Sequence, residues 1–168
     1  RTGDTNIVAG VSICAPIFLL LIALGDLFGI GGSALVARLF GERNDEDGRR
    51  VSSFAFYAAF VVGIIVALIL LIFHGPILKL LGTDSETYEY AWKYFSILAL
   101  GSPFVMISYI PANMLRTEGF AKQGMYGTVI GAVVNIILDP ILISALGLGA
   151  QGAALATVIG NLVTDIYF

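Results

Sequence analysis

The sequence has little charge. Asp, Glu, Lys and Arg together make up 12% of its 168 residues, whereas about a quarter is usual for a soluble domain. In their place, 58% of the residues are hydrophobic and the mean hydropathy is +0.92. This composition excludes an ordinary soluble protein and predicts a lipid bilayer as the surroundings. The net charge of −3 and the isolated basic pair Arg49 and Arg50 also argue against nucleic acid as a partner.

Cysteine and histidine are equally scarce. The single cysteine, Cys14, has no partner in the chain for a disulfide or a cysteine metal site. The single histidine, His74, precedes the helix-breaking pair Gly75-Pro76 and so stands at a helix end. An intramembrane enzyme would need clustered His, Glu or Ser nucleophile motifs. We therefore predict that the chain is not an enzyme and holds no cofactor.

Long apolar runs fill most of the sequence. A membrane-spanning helix needs about 20 mostly apolar residues. The charged clusters divide the chain into five candidate spans, at about 5–40, 51–73, 86–115, 124–146 and 151–168. The polar segment 41–50 is predicted as a loop, and Tyr90, Trp92 and Tyr94 as an aromatic belt at the membrane surface. The predicted fold class is an all-α, polytopic transmembrane helix bundle.

The distribution of Lys and Arg predicts the orientation, since cytoplasmic loops carry the excess. One side of the membrane would hold Arg38, Arg43, Arg49, Arg50, Arg116 and Lys122, and the other side Arg1, Lys79 and Lys93. We therefore expect a multi-pass protein of the cell membrane with the amino end of this chain outside. The chain starts without Met and ends within an apolar run. We also expect it to be part of a longer chain, whose remaining helices are its partners.

Small residues recur every four positions in three of the spans. Such ridges let neighbouring helix backbones approach closely. They consist of Gly25, Gly29, Ser33, Ala37 and Gly41 in the first span, Gly127 and Gly131 in the fourth, and Gly152, Ala156 and Gly160 in the fifth. They predict a compact bundle. Static packing explains them, and sliding surfaces for a conformational change are the alternative.

Three carboxylates lie inside the predicted spans, at Asp26, Asp139 and Asp165. A charge at bilayer depth is costly and usually faces the protein interior or a water-filled path. Asp139 has the most polar surroundings, because Asn135 lies one turn before it on the same helical face. Pro140 follows directly and cannot donate a backbone hydrogen bond, which frees carbonyl oxygens nearby. Asp26 either relays a cation or faces a polar crevice, and the role of Asp165 stays open.

The turn between the fourth and fifth spans places polar residues opposite one another. If Leu148 is the centre of an antiparallel hairpin, Asp139 and Thr157 lie at one depth, and Asn135 and Asn161 at another. We therefore predict a shared site in which Asp139, Asn135 and Thr157 supply oxygen ligands. Such a set suits a small hard cation such as Na⁺, and the carboxylate suits a proton equally well. The alternative is that these groups only hydrogen-bond neighbouring helices.

A further polar pair lies in the third span. Tyr109 and Asn113 are one turn apart and could line a cavity. The alternative for Asn113, which is near the predicted cytoplasmic end, is that it only reaches toward the membrane surface. We take both, with Asp26, as candidates for a substrate cavity.

Four motifs occur in order along the chain. They are GIGGSALVARLFGE (Gly29 to Glu42), LRTEG (Leu115 to Gly119), NIILDP (Asn135 to Pro140) and GLGAQGAALATVI (Gly147 to Ile159). Each alone is common in transporters. Together, and at these spacings, they make the chain resemble the multidrug and toxic compound extrusion (MATE) family of antiporters, over nearly all of its length.

The resemblance implies two six-helix lobes, of which this chain matches helices two to six of the amino-terminal lobe. The first helix and the second lobe are absent, so the chain is a partial lobe. The resemblance also implies export of organic cations, drugs and other amphipathic compounds in exchange for protons or Na⁺. The family's cation site corresponds to Asn135, Asp139 and Thr157. Asn113 and Asn161 fall where family members place cavity-lining side chains.

Two other functions stay open. A lipid-linked oligosaccharide flippase of the related superfamily would need a larger cavity with basic residues for phosphate groups, but the predicted spans contain no Lys or Arg at mid-membrane depth. A purely structural or assembly subunit is the other. The leading prediction is a secondary antiporter in which cation binding and substrate binding exclude each other, with Asp139 as the coupling residue.

Overall fold

The computed structural model describes residues 2–168, and their side chains from residue 5 onward. The described residues form helices joined by short turns and contain no strand. The helices are α1 (Thr2–Ile13), α2 (Ala15–Gly41), α3 (Asp45–Ile72), α4 (His74–Leu80), α5 (Tyr88–Ile107), α6 (Tyr109–Thr117), α7 (Ala121–Pro140) and α8 (Ala150–Tyr167). A π-helical turn, Ile141–Ala145, directly follows α7. The predicted all-α fold is confirmed.

Four helical segments of the described chain are long and apolar enough to cross a membrane. They are Thr5–Gly41 (α1 with α2), Asp45–Ile72 (α3), Tyr88–Thr117 (α5 with α6) and Ala121–Ala145 (α7 with the π turn). The predicted fifth span corresponds to α8, an 18-residue helix outside this set, whose polar residues lower its hydropathy. Arg1, which contributed to the predicted orientation, lies outside the described residues.

The second membrane-length helix begins earlier than predicted. α3 starts at Asp45, within the segment 41–50 predicted as a loop, because Asn44 caps its first turn. The Asn44 side-chain oxygen accepts a hydrogen bond from the Asp47 amide at 3.3 Å, and its amide nitrogen donates to the Asp47 carboxylate at 2.7 Å. The acidic side chains of this first turn also interact favourably with the helix dipole.

Proline divides the third membrane-length segment. α5 gives way to α6 at Ser108, and Pro103 lies inside α5. Because proline has no amide hydrogen, Pro103 leaves the Ala99 carbonyl without its helical partner. The Ser102 hydroxyl takes that place at 2.8 Å and also lies 3.1 Å from the Gly63 carbonyl oxygen of α3. One hydroxyl therefore stabilises the proline turn and ties α5 to α3.

α5 lies at the centre of the bundle. Its side chains Phe95 and Leu98 are fully buried together with Cys14 and Leu21 of the first segment. Tyr94, predicted at the membrane surface, also belongs to this core and is only 7% exposed. That prediction is wrong because α1, α2, α3 and α8 all pack against α5 and cover it.

The outer faces of the other long helices have the opposite character. α2, α3 and α7 expose large apolar side chains such as Leu27, Phe54 and Ile136. This surface is the one that a bilayer would cover.

The small-residue ridges fall at helix contacts, most clearly between α7 and α8. A Cβ atom added to Gly160 would lie 2.8 Å from the carbonyl oxygen of Gly131, which is closer than side chains tolerate. The predicted ridge of α2 is shorter than expected: it is buried as far as Ser33, whereas Ala37 and Gly41 are exposed. The close approach of α7 and α8 is what brings their polar residues together.

Candidate functional site

A cavity of about 250 Å³ lies where the α5–α6 break meets α7 and α8. It is lined by Phe18, Ser108, Tyr109, Thr128, Gly131, Ala132, Asn135, Thr157, Gly160, Asn161 and Thr164. Four of the sequence-predicted site residues are in this lining: Asn135, Thr157, Asn161 and Tyr109. The lining residues include no Asp, Glu, Lys or Arg, so the polar groups facing the cavity are neutral amides and hydroxyls.

Two of the three predicted cation ligands are in contact. Asn135 Nδ2 on α7 lies 3.4 Å from Thr157 Oγ1 on α8. The Thr157 hydroxyl donates to the Ala153 carbonyl oxygen of its own helix at 3.0 Å, which leaves its oxygen free to accept from Asn135. Gly160 makes the approach possible, since a Cβ there would lie 3.2 Å from Asn135 Cβ.

Asn161 continues this polar contact to α5. Its Nδ2 donates to the Thr157 carbonyl oxygen at 2.9 Å, and its Oδ1 accepts from the Ser108 hydroxyl at 2.9 Å. Both ends of the amide are therefore satisfied, which fixes its orientation. Asn135, Thr157, Asn161 and Ser108 form a line of polar groups along one wall of the cavity, which we call the polar wall.

Asp139 lies near the polar wall but outside the cavity lining. It is half-buried in the last turn of α7, one turn beyond Asn135. Within the described part of the chain, no hydrogen bond joins it to Asn135 or Thr157. Tyr94 of α5 lies close enough to interact with both Thr157 and Asp139. The three predicted ligands thus lie in one region, but Asp139 makes no hydrogen bond to the other two in the described part of the chain.

The pairing of α7 with α8 is within one residue of the symmetric hairpin predicted from the sequence. A Cβ atom added to Gly160, the residue before Asn161, would lie 3.2 Å from Asn135 Cβ, and Gly131 faces Thr164 in the same register. The side chains nevertheless reach diagonally, because Asn135 contacts Thr157, and Asn161 contacts Ser108 instead.

A second polar group joins α2 to α6. Asn113 Nδ2 lies 3.1 Å from Asp26 Oδ1 and 2.8 Å from the Tyr109 carbonyl oxygen. Gly29 provides the space, because a Cβ there would lie 2.7 Å from Asn113 Nδ2. Asn113 is therefore held inside the bundle and does not reach toward the membrane surface. Neither Asp26 nor Asn113 lines the cavity, but their neighbour Tyr109 does.

The MatE family model matches residues 1–141. This range includes α1 to α7 and therefore Asn113, Asn135 and Asp139. The chain belongs to the MatE family. The resemblance seen in the four motifs is thereby confirmed. MatE proteins are transporters, so the prediction that the chain is not an enzyme is confirmed as well.

Relatives of this MatE chain support the assignment in sequence and in structure. It is 37% identical to the multidrug export protein MepA of Staphylococcus saprophyticus subsp. saprophyticus, over 99% of this chain and 37% of that protein. It matches the inward-facing form of a multidrug resistance MATE family transporter with a TM-score of 0.92 and 31% identity, over 96% of this chain and 37% of that one. The outward-facing form gives a TM-score of 0.89 and 31% identity, over 95% and 35%.

Two facts follow from these matches. The chain spans about a third of the length of these MatE relatives. It also matches the inward-facing and outward-facing forms almost equally well, so this part of the fold is similar in both. A region that keeps its fold between two states is expected to move largely as one body.

Sequence reasoning missed three residues of the MatE site. Thr164 extends the four-residue spacing of the ridge on α8 and lies 3.2 Å from the Gly127 carbonyl oxygen of α7, so its position in the ridge was the available signal. Ser108 stands between two prolines, where a hydroxyl is useful to freed carbonyls. Tyr94 was assigned to the membrane surface by its aromatic neighbours, and no local pattern marks it as buried.

The donor set limits the chemistry of this MatE site. It consists of the amide and hydroxyl groups of the polar wall and the nearby carboxylate of Asp139, all of which offer oxygen atoms. Hard cations prefer such ligands. Among the described residues, no three His, Cys, Asp or Glu side chains are grouped as a transition-metal site requires. The arrangement therefore fits a proton or a small hard cation.

Proposed function

We propose that this chain is part of the amino-terminal lobe of a secondary exporter that moves organic cations, drugs or similar amphipathic compounds in exchange for protons or Na⁺. Relatives described as a multidrug export protein and a multidrug resistance transporter support the substrate class. The observation that carries the proposal is the polar wall beside a cavity, with the carboxylate of Asp139 one turn away.

The coupling ion binds among Asn135, Thr157 and Asp139. Asn135 and Thr157 are already in contact at 3.4 Å, and Asp139 supplies the negative charge. A bound cation draws the three oxygens together, because each ligand must reach it directly. The ion thus favours an arrangement of the last turn of α7 that differs from the one without it. A ligand shifts a conformational equilibrium only through such a difference in affinity.

The substrate binds on the α2 and α6 side of the cavity. Asp26 is half-buried, and none of the ion pairs formed by the described residues includes it. Tyr109 links it to the cavity, and Phe18 adds a second aromatic ring to the lining. A carboxylate beside aromatic rings attracts organic cations by charge and by cation–π interaction. Asn161 and Asn113 hold the walls of this region in place.

The exporter lies in the cell membrane with several spans, and the amino end of this chain faces outward. The excess of Lys and Arg in the loops after the first and third spans supports this orientation. The remaining helices of the parent protein complete the lobe and supply the second one. A lipid-linked oligosaccharide flippase is disfavoured, because no Lys or Arg lines the cavity to receive phosphate groups.

Export of a fluorescent organic cation by the parent protein, reconstituted in vesicles, tests this function. Asp139→Asn should lower gradient-driven export by about 5–150-fold, the range that corresponds to coupling free energies of about 1–3 kcal/mol. Asp45→Asn, an exposed carboxylate at the start of α3, is the matched control and should export normally. Flux with and without Na⁺ at a fixed pH gradient then identifies the coupling ion.

The same vesicles separate the two halves of the proposal. Asp26→Asn should raise the drug concentration needed for half-maximal export while the dependence on the ion gradient persists. Undiminished gradient-driven export by Asp139→Asn would contradict the coupling role. An unchanged drug dependence in Asp26→Asn would contradict the substrate role.

A further inference from the structure

α8 carries a carboxylate, Asp165, that the polar wall does not use. Both of its side-chain oxygens are buried, and neither has a hydrogen-bond partner in the part of the chain that the structure describes. An ionised carboxylate held in this way loses its hydration and gains nothing in return, so such groups take up a proton instead. The protonation state of Asp165 is therefore set by how α8 is packed.

The position of Asp165 on α8 follows from helical spacing. Val158, Asn161 and Asp165 lie on one stripe of the helix. Val158 packs against Gly101 of α5, and Asn161 accepts the hydrogen bond from Ser108 at the α5–α6 break. Asp165 lies one turn farther along the same side, beyond the end of α5 at Ile107. It is half-buried, between the buried Thr164 and the exposed Ile166.

The charged and titratable groups around α8 leave Asp165 unpaired. α8 packs against α5, α7, the π turn and α1. On α5, Glu89 and Lys93 pair with each other at 2.6 Å in the first turns of that helix. The other such groups on these helices are Tyr88, Tyr90 and Tyr94 on α5, Lys122, Tyr126 and Asp139 on α7, and Asp4 on α1, whose side chain lies outside the described part. α1 meets α8 at the opposite end, where Ile7 contacts Gly149.

A proton fits this position better than a metal ion does. Na⁺ and similar cations require several oxygen ligands at once. The described residues place no second and third His, Cys, Asp or Glu beside Asp165, and its oxygens contact no hydrogen-bonding group of that part of the chain. A proton needs only the carboxylate itself. A single buried acid is therefore sufficient.

We propose that Asp165 is a second proton-binding site of this lobe, which holds a proton while the end of α8 that carries it stays buried and releases the proton when that end is exposed. Its role in coupling rests on the proposed antiport function, whereas the bound proton rests on the burial of Asp165 alone. Asn161 connects the two, because it lines the cavity and lies one turn from Asp165.

The pH dependence has a definite sign. A substrate that displaces Asn161 in the cavity acts one turn from Asp165 and exposes it to water. The buried arrangement accommodates only the neutral acid, so low pH favours it and high pH favours the exposed arrangement. Asp165→Asn is neutral at every pH and loses this dependence.

Infrared spectroscopy of the purified parent protein in lipid tests the bound proton directly. A protonated carboxyl group has a carbonyl absorption that a carboxylate lacks. At pH 6, where exposed carboxylates are ionised, Asp165→Asn should lose the absorption of one carboxylic acid that Asp139→Asn retains. Asp165→Ala gives the same comparison if the asparagine variant does not fold. An unchanged absorption in both Asp165 variants means that the carboxylate is ionised, for instance by pairing with a cation elsewhere in the parent protein, and overturns the proposal.

Drug binding by the purified parent protein at several pH values tests the link to the cavity. In an Asp139→Asn background, which removes the other carboxylate proposed to bind a proton, drug affinity should change between acidic and alkaline pH by about fivefold or more, as coupled sites do. Adding Asp165→Asn to that background should abolish the change. A lost infrared absorption with an unchanged pH dependence would overturn the link to the cavity. The outcome for Asp139→Asn decides the proposed coupling function separately, since that variant leaves Asp165 intact.

Discussion

The contact between α7 and α8 can be tested with a single methyl group, in the substitution Gly131→Ala. The new Cβ would lie 2.6 Å from the Gly160 carbonyl oxygen and closer still to the Thr164 hydroxyl, whereas ordinary contacts begin at 3.4 Å. Because the first neighbour is backbone, the helices must move apart. Overpacking of this kind costs about 1–3 kcal/mol of stability. Alanine gains about 1 kcal/mol over glycine by its better helix propensity. The substitution should therefore destabilise the protein unless the overpacking cost is at the lower end of its range.

Gly131→Ala should affect the candidate site as well as the stability of the protein. The Asn135–Thr157 contact of 3.4 Å is already at the limit of a hydrogen bond and is lost when α7 and α8 separate. Thermal unfolding of the parent protein in detergent measures the first effect, and the ion dependence of drug binding measures the second. Gly31→Ala is the matched control, since a Cβ at Gly31 meets nothing within 4 Å. If Gly131→Ala is as stable as Gly31→Ala and binds the ion as well, the proposed role of the α7–α8 contact is refuted.

Two further predictions concern α5. Ser102→Ala removes the hydroxyl that lies 3.1 Å from the Gly63 carbonyl oxygen. It should lower the free energy of unfolding by about 0.6 kcal/mol, a usual value for a hydrogen bond between membrane helices. Thermal unfolding measures this loss against the exposed control Ser53→Ala, and equal stabilities of the two variants would contradict it. Asp84 accepts hydrogen bonds from the Thr87 hydroxyl and amide, which hold the pKa of Asp84 below its usual value. The order of this turn is therefore present at neutral pH and lost as the pH falls through the lowered pKa, so Thr87 amide exchange, relative to its intrinsic rate, should rise in acid. Asp84→Ala should exchange fast throughout, and the same pH response in that variant would contradict the role of the carboxylate.

The long helices were predictable because apolar runs of membrane length have few alternatives in a bilayer. Their ends were less so. The segment 41–50 is dense in charge and so is typical of a loop, yet Asn44 and the acidic residues after it are also good helix-starting residues. Hydropathy responds to the charges, whereas capping depends on where in the turn each side chain stands. The start of α3 at Asp45 reflects the second property.

The site was predictable in its residues but not in its contacts. Asn135 and Asp139 stand out because polar groups at bilayer depth are rare. The contact of Asn161 with Ser108 depends on the break between α5 and α6, which no spacing within α8 reveals. Pro140 signalled a disturbed helix end, but the sequence does not show whether that disturbance is a kink or a π turn.

The π turn also gives Asp139 a freedom that a regular helix would deny it. In this turn the Leu146 amide donates to the Ile141 carbonyl oxygen at 2.9 Å, one residue farther than in an α-helix. Shifting the π turn back along the chain, so that it lay between Asn135 and Asp139, would exchange one carbonyl partner of an amide for the next. Because successive residues of an α-helix are about 100° apart around its axis, this shift would swing the Asp139 carboxylate about a quarter of the way around α7 relative to Asn135. The carboxylate could therefore turn toward or away from Thr157 while the rest of α7 stays packed on α8.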